Sequence, residues 1–239
     1  MIIAILLVSP GLTPTAYADS VVPDNNSNDA SNIVDVSGCS SMEKMQLIYS
    51  SGIDFATHID EEQIEAHILY ADTMQIDKFD NGSAAVTITR VISSYNRNGK
   101  EILVKEAELI LLMAVSSVNE VSATATKYGI QGFTTLNYSL EQGDIYSFSI
   151  KFNTLSVRYV NLPTASTVVS SMNGTVEFIR YTFGTDYYNN HYISNPVAGT
   201  TYSKALNSGW YDYASDSLRI GLVLNFTNGD YLEYVRIVF

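Results

Sequence analysis

The sequence predicts a mainly β protein, an antiparallel β-sandwich or open barrel, preceded by a short helical segment and a disordered N-terminal tether. Three observations support this. From about Thr73 onward, apolar and polar residues alternate with the period of two that is typical of half-buried strands. Asn-Gly pairs separate several of these runs, and such a pair between alternating runs is the strongest short-range hairpin signal. No helical pattern interrupts the runs, as is typical of sandwiches and barrels.

The first element, residues 1–18, is predicted to be a secretory signal peptide. An apolar run at 1–7 is followed by a Pro-Gly break at 10–11 and by the small residues Ala16 and Ala18 of a cleavage site. Because no Lys or Arg precedes the run, a misassigned start codon and an uncleaved N-terminal membrane anchor stay open. The run is far shorter than the roughly 20 apolar residues of a spanning helix. We therefore expect secretion and no stable membrane span after cleavage.

The next segment, residues 19–38, is predicted to be a disordered, acidic linker rich in Asn and Ser, because it offers little apolar surface to bury. It ends at the only cysteine, Cys39, so no intramolecular disulfide can form. The residues before Cys39 match the local pattern of a lipidation site, but such a site needs an apolar region directly upstream. A free thiol is the favoured interpretation.

Residues 39–72 are predicted to form a short helical segment. A first apolar face comprises Met42, Met45, Ile48 and Tyr49, which recur at helical spacing. A second helix is expected to begin at Asp60, with Gln63 as its capping-box partner. Its apolar face comprises Ile64, His67, Ile68 and Ala71.

Residues 73–239 are predicted to form the antiparallel β domain. The clearest hairpins turn at Asn98-Gly99 and at Asn228-Gly229. The runs with strand periodicity lie at 86–93, 102–113, 146–152, 155–160, 176–183, 219–226 and 231–239.

Composition indicates the cellular setting. The chain has a net charge of −12, only 16% charged residues, and abundant Ser, Thr, Asn and Tyr, which favours an extracellular β protein. The acidic balance argues against nucleic acid and anionic lipid as partners. A secreted chain without disulfides favours a bacterial source, so that N-x-S/T sequons, such as the one at Asn137, are chance products. The arrangement is similar to small secreted β proteins of Gram-positive bacteria, a likeness that implies an extracellular location and transfers no site.

The candidate binding residues come from a stretch rich in both aromatics and turn residues, between 181 and 213. Aromatic side chains on loops offer large contact area with few rotors to restrict, so they are typical of binding surfaces for glycans or proteins. The predicted ligand-binding residues are Tyr187, Tyr188, Tyr192, Tyr202, Trp210, Tyr211 and Tyr213, with Trp210 as anchor. The alternative is that Trp210 and some of the tyrosines close the ends of the sandwich.

No pattern assigns catalytic residues, metal ligands or a cofactor. Glu106 and Glu108 share one face of a strand, as paired glycosidase acids can, but acids spaced this way on a hairpin are expected to be solvated. His58, Glu62 and His67 carry metal-ligand types, yet their spacing does not place both histidines on one helical face.

The sequence therefore predicts a secreted or cell-surface bacterial β-sandwich protein of unassigned role. The favoured function is a non-enzymatic binding or structural module with an extracellular glycan or protein as partner. The alternatives are a secreted hydrolase with an unlocated carboxylate site and a secreted toxin or antimicrobial β protein. Ligand identity and oligomeric state stay open.

Overall fold

The computed structural model describes residues 33–51, 61–78, 84–112, 129–142, 148–162, 165–180, 184–213 and 217–238. These form two antiparallel sheets packed face to face, with two helices on the outer face of the larger sheet. The predicted antiparallel sandwich with a short helical segment before it is confirmed. The predicted signal peptide and most of the predicted linker lie outside the described residues.

The described elements are, in chain order, β1 (Val34–Asp35), α1 (Ser41–Ser50), α2 (Glu61–Ile68), β2 (Thr73–Lys78), β3 (Ala84–Arg97), β4 (Lys100–Leu112), β5 (Ile130–Gln142), β6 (Phe148–Asn161), β7 (Val169–Arg180), β8 (Gly184–Ser194), β9 (Tyr202–Ala205), β10 (Tyr211–Tyr213), β11 (Ser217–Phe226) and β12 (Tyr231–Ile237).

The strands form two sheets in which neighbours along the chain mostly pair with each other. The larger sheet has the order β1-β2-β3-β4-β5-β6-β10, and β9 also pairs with β6. The smaller sheet has the order β12-β11-β7-β8. Every strand pair in the described chain is antiparallel. This hairpin-based topology follows from the short turns between the alternating runs.

The two hairpins predicted from Asn-Gly pairs are present. Asn98 and Gly99 have φ angles of 52° and 79°, and Arg97 pairs with Lys100 across them. Positive φ at both central residues is the requirement of a two-residue hairpin turn, which explains the Asn-Gly sequence. In the last hairpin Gly229 has a φ of 91° in the turn that joins β11 to β12.

The main core fills the space between the sheets. The predicted alternation of β11 is observed, because Ile220, Leu222, Leu224 and Phe226 are all buried. They face buried side chains of the larger sheet that include Leu109, Leu136, Phe152, Leu155 and Val157. The sheets approach most closely near Gly174 on β7, where an added Cβ would overlap the Cγ1 of Val157. Gly174 therefore permits close packing rather than a turn.

A second core lies between the helices and the outer face of the larger sheet. Its buried members from the sheet and helices include Ile48, Ile64, Ile68, Val86, Ile88, Ile110 and Phe133. Ser40 and Glu43 form a capping box at the start of α1. Lys44 of α1 donates its ammonium to the carbonyls of Leu69 and Ala71 at 3.0 and 2.8 Å, which joins α1 to the C-terminal end of α2.

The predicted helical faces are only partly correct. Met45 and Ile48 are buried, whereas Met42 and Tyr49 are exposed, so the apolar face of α1 is narrower than the spacing predicted. The predicted apolar face of α2 is observed, because Ile64, Ile68 and Ala71 are buried. Its predicted cap at Asp60 lies outside the described residues, as does the side chain of Gln63.

The folded part begins within the range predicted as a disordered linker. Val34 and Asp35 pair with Met74 and Thr73 of β2, and Val36 is fully buried in the second core. Cys39 is half-buried against the same core. A short apolar anchor thus orders residues that composition alone assigned to the linker, because Val36 has a preformed apolar surface on which to pack.

Candidate functional site

The aromatic stretch between 184 and 213 forms strands rather than loops. β8 is an edge strand of the smaller sheet and pairs with β7, while β9 and β10 both pair with β6 of the larger sheet. The expectation that these aromatics lie on loops is therefore wrong for all of them except Trp210, which precedes β10. Alternation along the strands divides them between the inside and the outside of the sandwich.

Tyr187 and Tyr211 belong to the margin of the main core. The ring of Tyr187 stacks on Phe152 with centroids 4.7 Å apart, and Tyr211 packs against both rings at 5.5 and 5.9 Å. The Tyr187 hydroxyl lies 3.5 Å from the carbonyl of Leu206, to which it donates. Burial raises the pKa of this hydroxyl. These two tyrosines therefore lie at the side of the main core, between the edge strands β8 and β10.

Tyr202 and Trp210 are half-buried and engaged within the chain. The hydroxyl of Tyr202 accepts a hydrogen bond from the N–H of Val197 at 3.0 Å. The guanidinium of Arg97, at the end of β3, lies 4.7 Å from the ring centroid of Trp210 in a cation–π contact. Trp210 therefore packs against the end of the β3–β4 hairpin. Tyr213 pairs with Phe148 in the β10–β6 ladder, and its side chain lies outside the described part.

Tyr188 and Tyr192 are the predicted residues that project into solvent, with 57% and 60% of their surface exposed. They point outward because Tyr187 and Ile193, at alternate positions, pack against the core. Asn190 lies between them on the same side, and the two tyrosines are about 13 Å apart along the strand at ~3.3 Å per residue.

The neighbouring strand extends this surface with polar side chains. Tyr188, Asn190 and Tyr192 pair respectively with Glu177, Thr175 and Asn173 of β7. We call these six residues, Tyr188, Asn190 and Tyr192 of β8 with Glu177, Thr175 and Asn173 of β7, the outer tyrosine face. Beside it on β11 stands Gly221, where an added Cβ would overlap Thr175 Oγ1. The side chains of Thr175 and Val235 therefore occupy the space above Gly221.

The polar groups of the outer tyrosine face differ in whether they have hydrogen-bond or ion-pair partners within the chain. The carboxylate of Glu177 accepts from the Thr185 hydroxyl at 2.9 Å and lies 3.7 Å from the Arg219 guanidinium, so its charge is partly compensated. The Asn173 Oδ1 is buried without a hydrogen-bond partner among the described residues. Lys204 of β9 donates to the side chain of Asn189 and the carbonyl of Asn190, both at 2.7 Å, and these bonds connect β9 to β8.

His191 lies on the inner side of β8, opposite Gly174 of β7. Burial lowers the pKa of His191 and the nearby Lys204 cation lowers it further, against a raising hydrogen bond with the backbone of Tyr202. Its Nε2 is buried without a partner in the described part of the chain. The folded protein therefore disfavours the protonated form of this imidazole.

The lowered pKa of His191 predicts that acid destabilises the fold. Between this pKa and the unfolded value of 6.5, the unfolded chain binds more protons, so stability falls as the pH decreases through this window. Urea unfolding at about pH 7.5 and about pH 5.5 should show this loss, and His191→Gln should reduce it. An equal loss in the variant would contradict the assignment. Hydrogen bonds from Ser37 and Ser40 lower the pKa values of the exposed Asp35 and Glu43 carboxylates, so these groups titrate outside this window.

A second candidate site joins α2 to the larger sheet. Glu108 of β4 is buried, with 7% of its side chain exposed, and its Oε2 lies 2.9 Å from the Nδ1 of His67. Its Oε1 accepts from the Thr135 hydroxyl at 3.3 Å. Arg158 of β6 lies 3.1 Å from the Nε2 of His67.

The expectation that Glu108 is solvated is wrong, because α2 covers this part of the sheet. Glu106, two residues earlier, pairs with Arg90 instead.

Both ring nitrogens of His67 have partners in this cluster. Since Arg158 can only donate, Nε2 accepts and Nδ1 donates to Glu108, which corresponds to a neutral imidazole. The ring also packs on Phe133, with centroids 4.9 Å apart, and the Arg158 guanidinium lies 4.3 Å from the centroid of the same ring. A hydrogen-bonded Glu–His pair can act in acid–base catalysis. Here both nitrogens of the His67 ring already have protein partners, an arrangement well suited to joining α2 to the larger sheet.

Sequence reasoning considered His67 and Glu108 separately and did not join them, because they are 41 residues apart. The available signal was Glu108 itself, an acid directly before an apolar run. His58 lies outside the described residues, and so does the side chain of Glu62. Within the described ranges no group of three His, Cys, Asp or Glu side chains is placed to hold a metal ion.

Comparison with family models, curated proteins and solved structures finds no match to this chain. Neither helix in the described residues is long and apolar enough to cross a membrane.

Proposed function

We propose that the protein is a secreted, non-enzymatic binding module that holds a neutral glycan on its outer tyrosine face. The main observation in support is that Tyr188 and Tyr192 are each more than half exposed and lie on the same side of β8. Exposed tyrosines combine a flat apolar ring, which can stack on a sugar, with a hydroxyl that can form hydrogen bonds. Rigid strands hold both rings in place before binding, which reduces the entropy lost in the complex.

The chemistry around the two rings supports a neutral polyhydroxylated ligand. Asn190, Thr175 and Asn173 offer amide and hydroxyl groups, and the buried Oδ1 of Asn173 lacks a partner in the described chain. The acidic net charge of −12 disfavours an anionic polymer. A basic protein ligand is the alternative, since Tyr- and Asn-rich surfaces are also typical of protein-binding paratopes.

Replacing the exposed tyrosines tests the proposal. In a glycan and peptidoglycan binding screen, Tyr188→Ala and Tyr192→Ala should each weaken binding at least about tenfold, because truncating an aromatic hot spot costs about 2 kcal/mol or more and ~1.4 kcal/mol is already tenfold. The melting temperature should stay within a few degrees, because both rings are mostly outside the core. Surface plasmon resonance and thermal melts give the two quantities.

The matched control is Tyr70→Ala, which removes a 68% exposed tyrosine beside α2, far from the smaller sheet. It should leave binding unchanged. Retention of full affinity by the Tyr188 and Tyr192 double variant would contradict the assignment of this face. Binding of a basic protein in place of any glycan would support the alternative ligand.

The second candidate function is a hydrolase, favoured by the buried contact between His67 and Glu108. Such an enzyme would need one ring nitrogen of His67 to exchange its protein partner for a substrate or water. A hydrolase screen on the purified chain would decide this. A turnover that is lost in Glu108→Gln and retained in Glu101→Gln would establish the enzyme and overturn the binding module.

A further inference from the structure

β3 has an edge that is only partly covered by its neighbour. β2 pairs with β3 from Thr89 back to Ala84, and the N–H of Val91 donates to Asp72 Oδ2 at 2.8 Å just beyond that ladder. β3 then continues to Arg97, and in the described part of the chain only β4 pairs with this continuation. We call Ile92–Arg97 the open β3 edge.

The turn at Asn98-Gly99 determines which backbone groups of the open β3 edge point away from β4. Arg97 and Lys100 close a two-residue turn, so their N–H and C=O groups bond to each other across the hairpin. Alternation then directs the backbone groups of Tyr95 toward β4 and those of Ser94 and Asn96 away from it. A strand of another chain can bond to these outward groups.

Between the bulge at its start and Arg97 at its end, this edge carries no charged side chain and no proline. Ile92 and Tyr95 are each 46% exposed. Residues 91–96 contain no Lys, acid or Pro, which are the residues that most often block pairing at an edge. A register shift at Val91/Ser93 marks a bulge at the start of the edge and separates it from the part covered by β2.

The basic side chains next to the edge have acidic partners within the chain itself. Arg90 pairs with Glu106, while Arg97 and Lys100 lie 3.9 and 3.6 Å from the carboxylate oxygens of Glu141. In a protein with a net charge of −12, residues 91–96 themselves carry no acid, so two copies can approach along this strand with little repulsion.

We propose that two copies of this chain pair through their open β3 edges in a two-fold symmetric, antiparallel ladder that joins their larger sheets. In the register centred on Ser94, the two Ser94 residues face each other, Tyr95 faces Ser93, and Arg97 faces Val91. No like charges are opposite each other, and antiparallel strands are self-complementary about a two-fold axis. This ladder, rather than a peptide of another protein, is the occupant because one register satisfies backbone, side-chain and charge requirements at once.

Proline at position 94 gives a selective test. Ser94→Pro removes an N–H that points to the partner and leaves the bonds to β4 intact, because proline is tolerated where the N–H of an edge strand faces outward. In sedimentation equilibrium the wild-type chain should show a monomer–dimer equilibrium, and Ser94→Pro should weaken it at least about tenfold. Ser94→Thr, which keeps the N–H, should leave it unchanged.

Hydrogen exchange provides an independent measurement on the wild-type chain. The amides of Ser94 and Asn96 should become more protected as the protein concentration rises, whereas amides of β12 should not change. If circular dichroism shows that Ser94→Pro does not fold, Ile92→Lys replaces it, because a like charge on each copy blocks edge pairing.

Three results would overturn the proposal. The first is a wild-type chain that stays monomeric at high micromolar concentration. The second is a dimer that Ser94→Pro and Ile92→Lys leave intact. The third is protection of Ser94 and Asn96 that appears only when an unrelated protein or peptide is added, which would assign the edge to a different partner. None of these results depends on the proposed glycan binding.

Discussion

Leu224→Ala is expected to lower the free energy of unfolding by about 2–5 kcal/mol, the range for removing a fully buried leucine. Leu224 has no exposed surface and lies on the inner face of β11, in the middle of the smaller sheet. Its Cδ1 would be only 2.8 Å from a Cβ added at Gly132, so the larger sheet packs directly against it. The surrounding strands are paired on both sides and can collapse into the cavity only partly.

Urea unfolding followed by far-UV circular dichroism measures this loss. Val223→Ala is the matched control, because Val223 is the next residue on β11, points to the outer side and is half-buried. It should cost no more than about 1 kcal/mol. A loss of less than about 1 kcal/mol for Leu224→Ala would show that this strand is peripheral to the core.

His67→Ala is expected to lower the free energy of unfolding by about 2–4 kcal/mol. The estimate combines the cost of leaving the buried Glu108 carboxylate unsatisfied with the loss of the ring contact to Phe133. The substitution removes the Nδ1 donor from the buried Glu108 carboxylate, the Nε2 acceptor from Arg158, and the ring that packs on Phe133. The helical layer should be the first part to loosen, because His67 is its polar connection to the sheet.

Denaturant unfolding and hydrogen exchange of α2 test this prediction. Glu101→Gln serves as control, since Glu101 is an exposed acid on the same strand β4, and this substitution should cost about 0.5 kcal/mol or less. Unchanged stability of His67→Ala would mean that the cluster does not hold the helical layer. That result would favour the hydrolase alternative, because a residue that folding does not need would require another role.

Much of the fold follows from local patterns. The alternation of Ile220, Leu222, Leu224 and Phe226 predicted a half-buried strand, and all four side chains are buried as that pattern requires. Asn98-Gly99 predicted a hairpin because both residues tolerate positive φ, which both adopt. The secretory signal at 1–18 stays a prediction, since those residues lie outside the described chain.

The candidate sites were harder to predict because they depend on contacts between distant parts of the chain. Turn residues around Tyr187, Tyr188 and Tyr192 suggested loops, whereas pairing of β8 with β7 makes a strand of this segment. That pairing puts Tyr187 in the core margin and its neighbour Tyr188 in solvent. No local property distinguishes two adjacent tyrosines until the register with the next strand is known.

The sequence by itself determined the β class, the positions of the hairpin turns and the inward faces of the last strands. These depend on backbone φ preferences and on a period of two, which are properties of short segments. The tertiary structure alone decided that α2 covers Glu108, that His67 bonds to it, that Trp210 packs against Arg97, and that β3 extends beyond β2 with an open edge. Each of these depends on which surfaces meet across the sheets and layers, and that is decided by the packing free energy of the whole chain rather than by local preference.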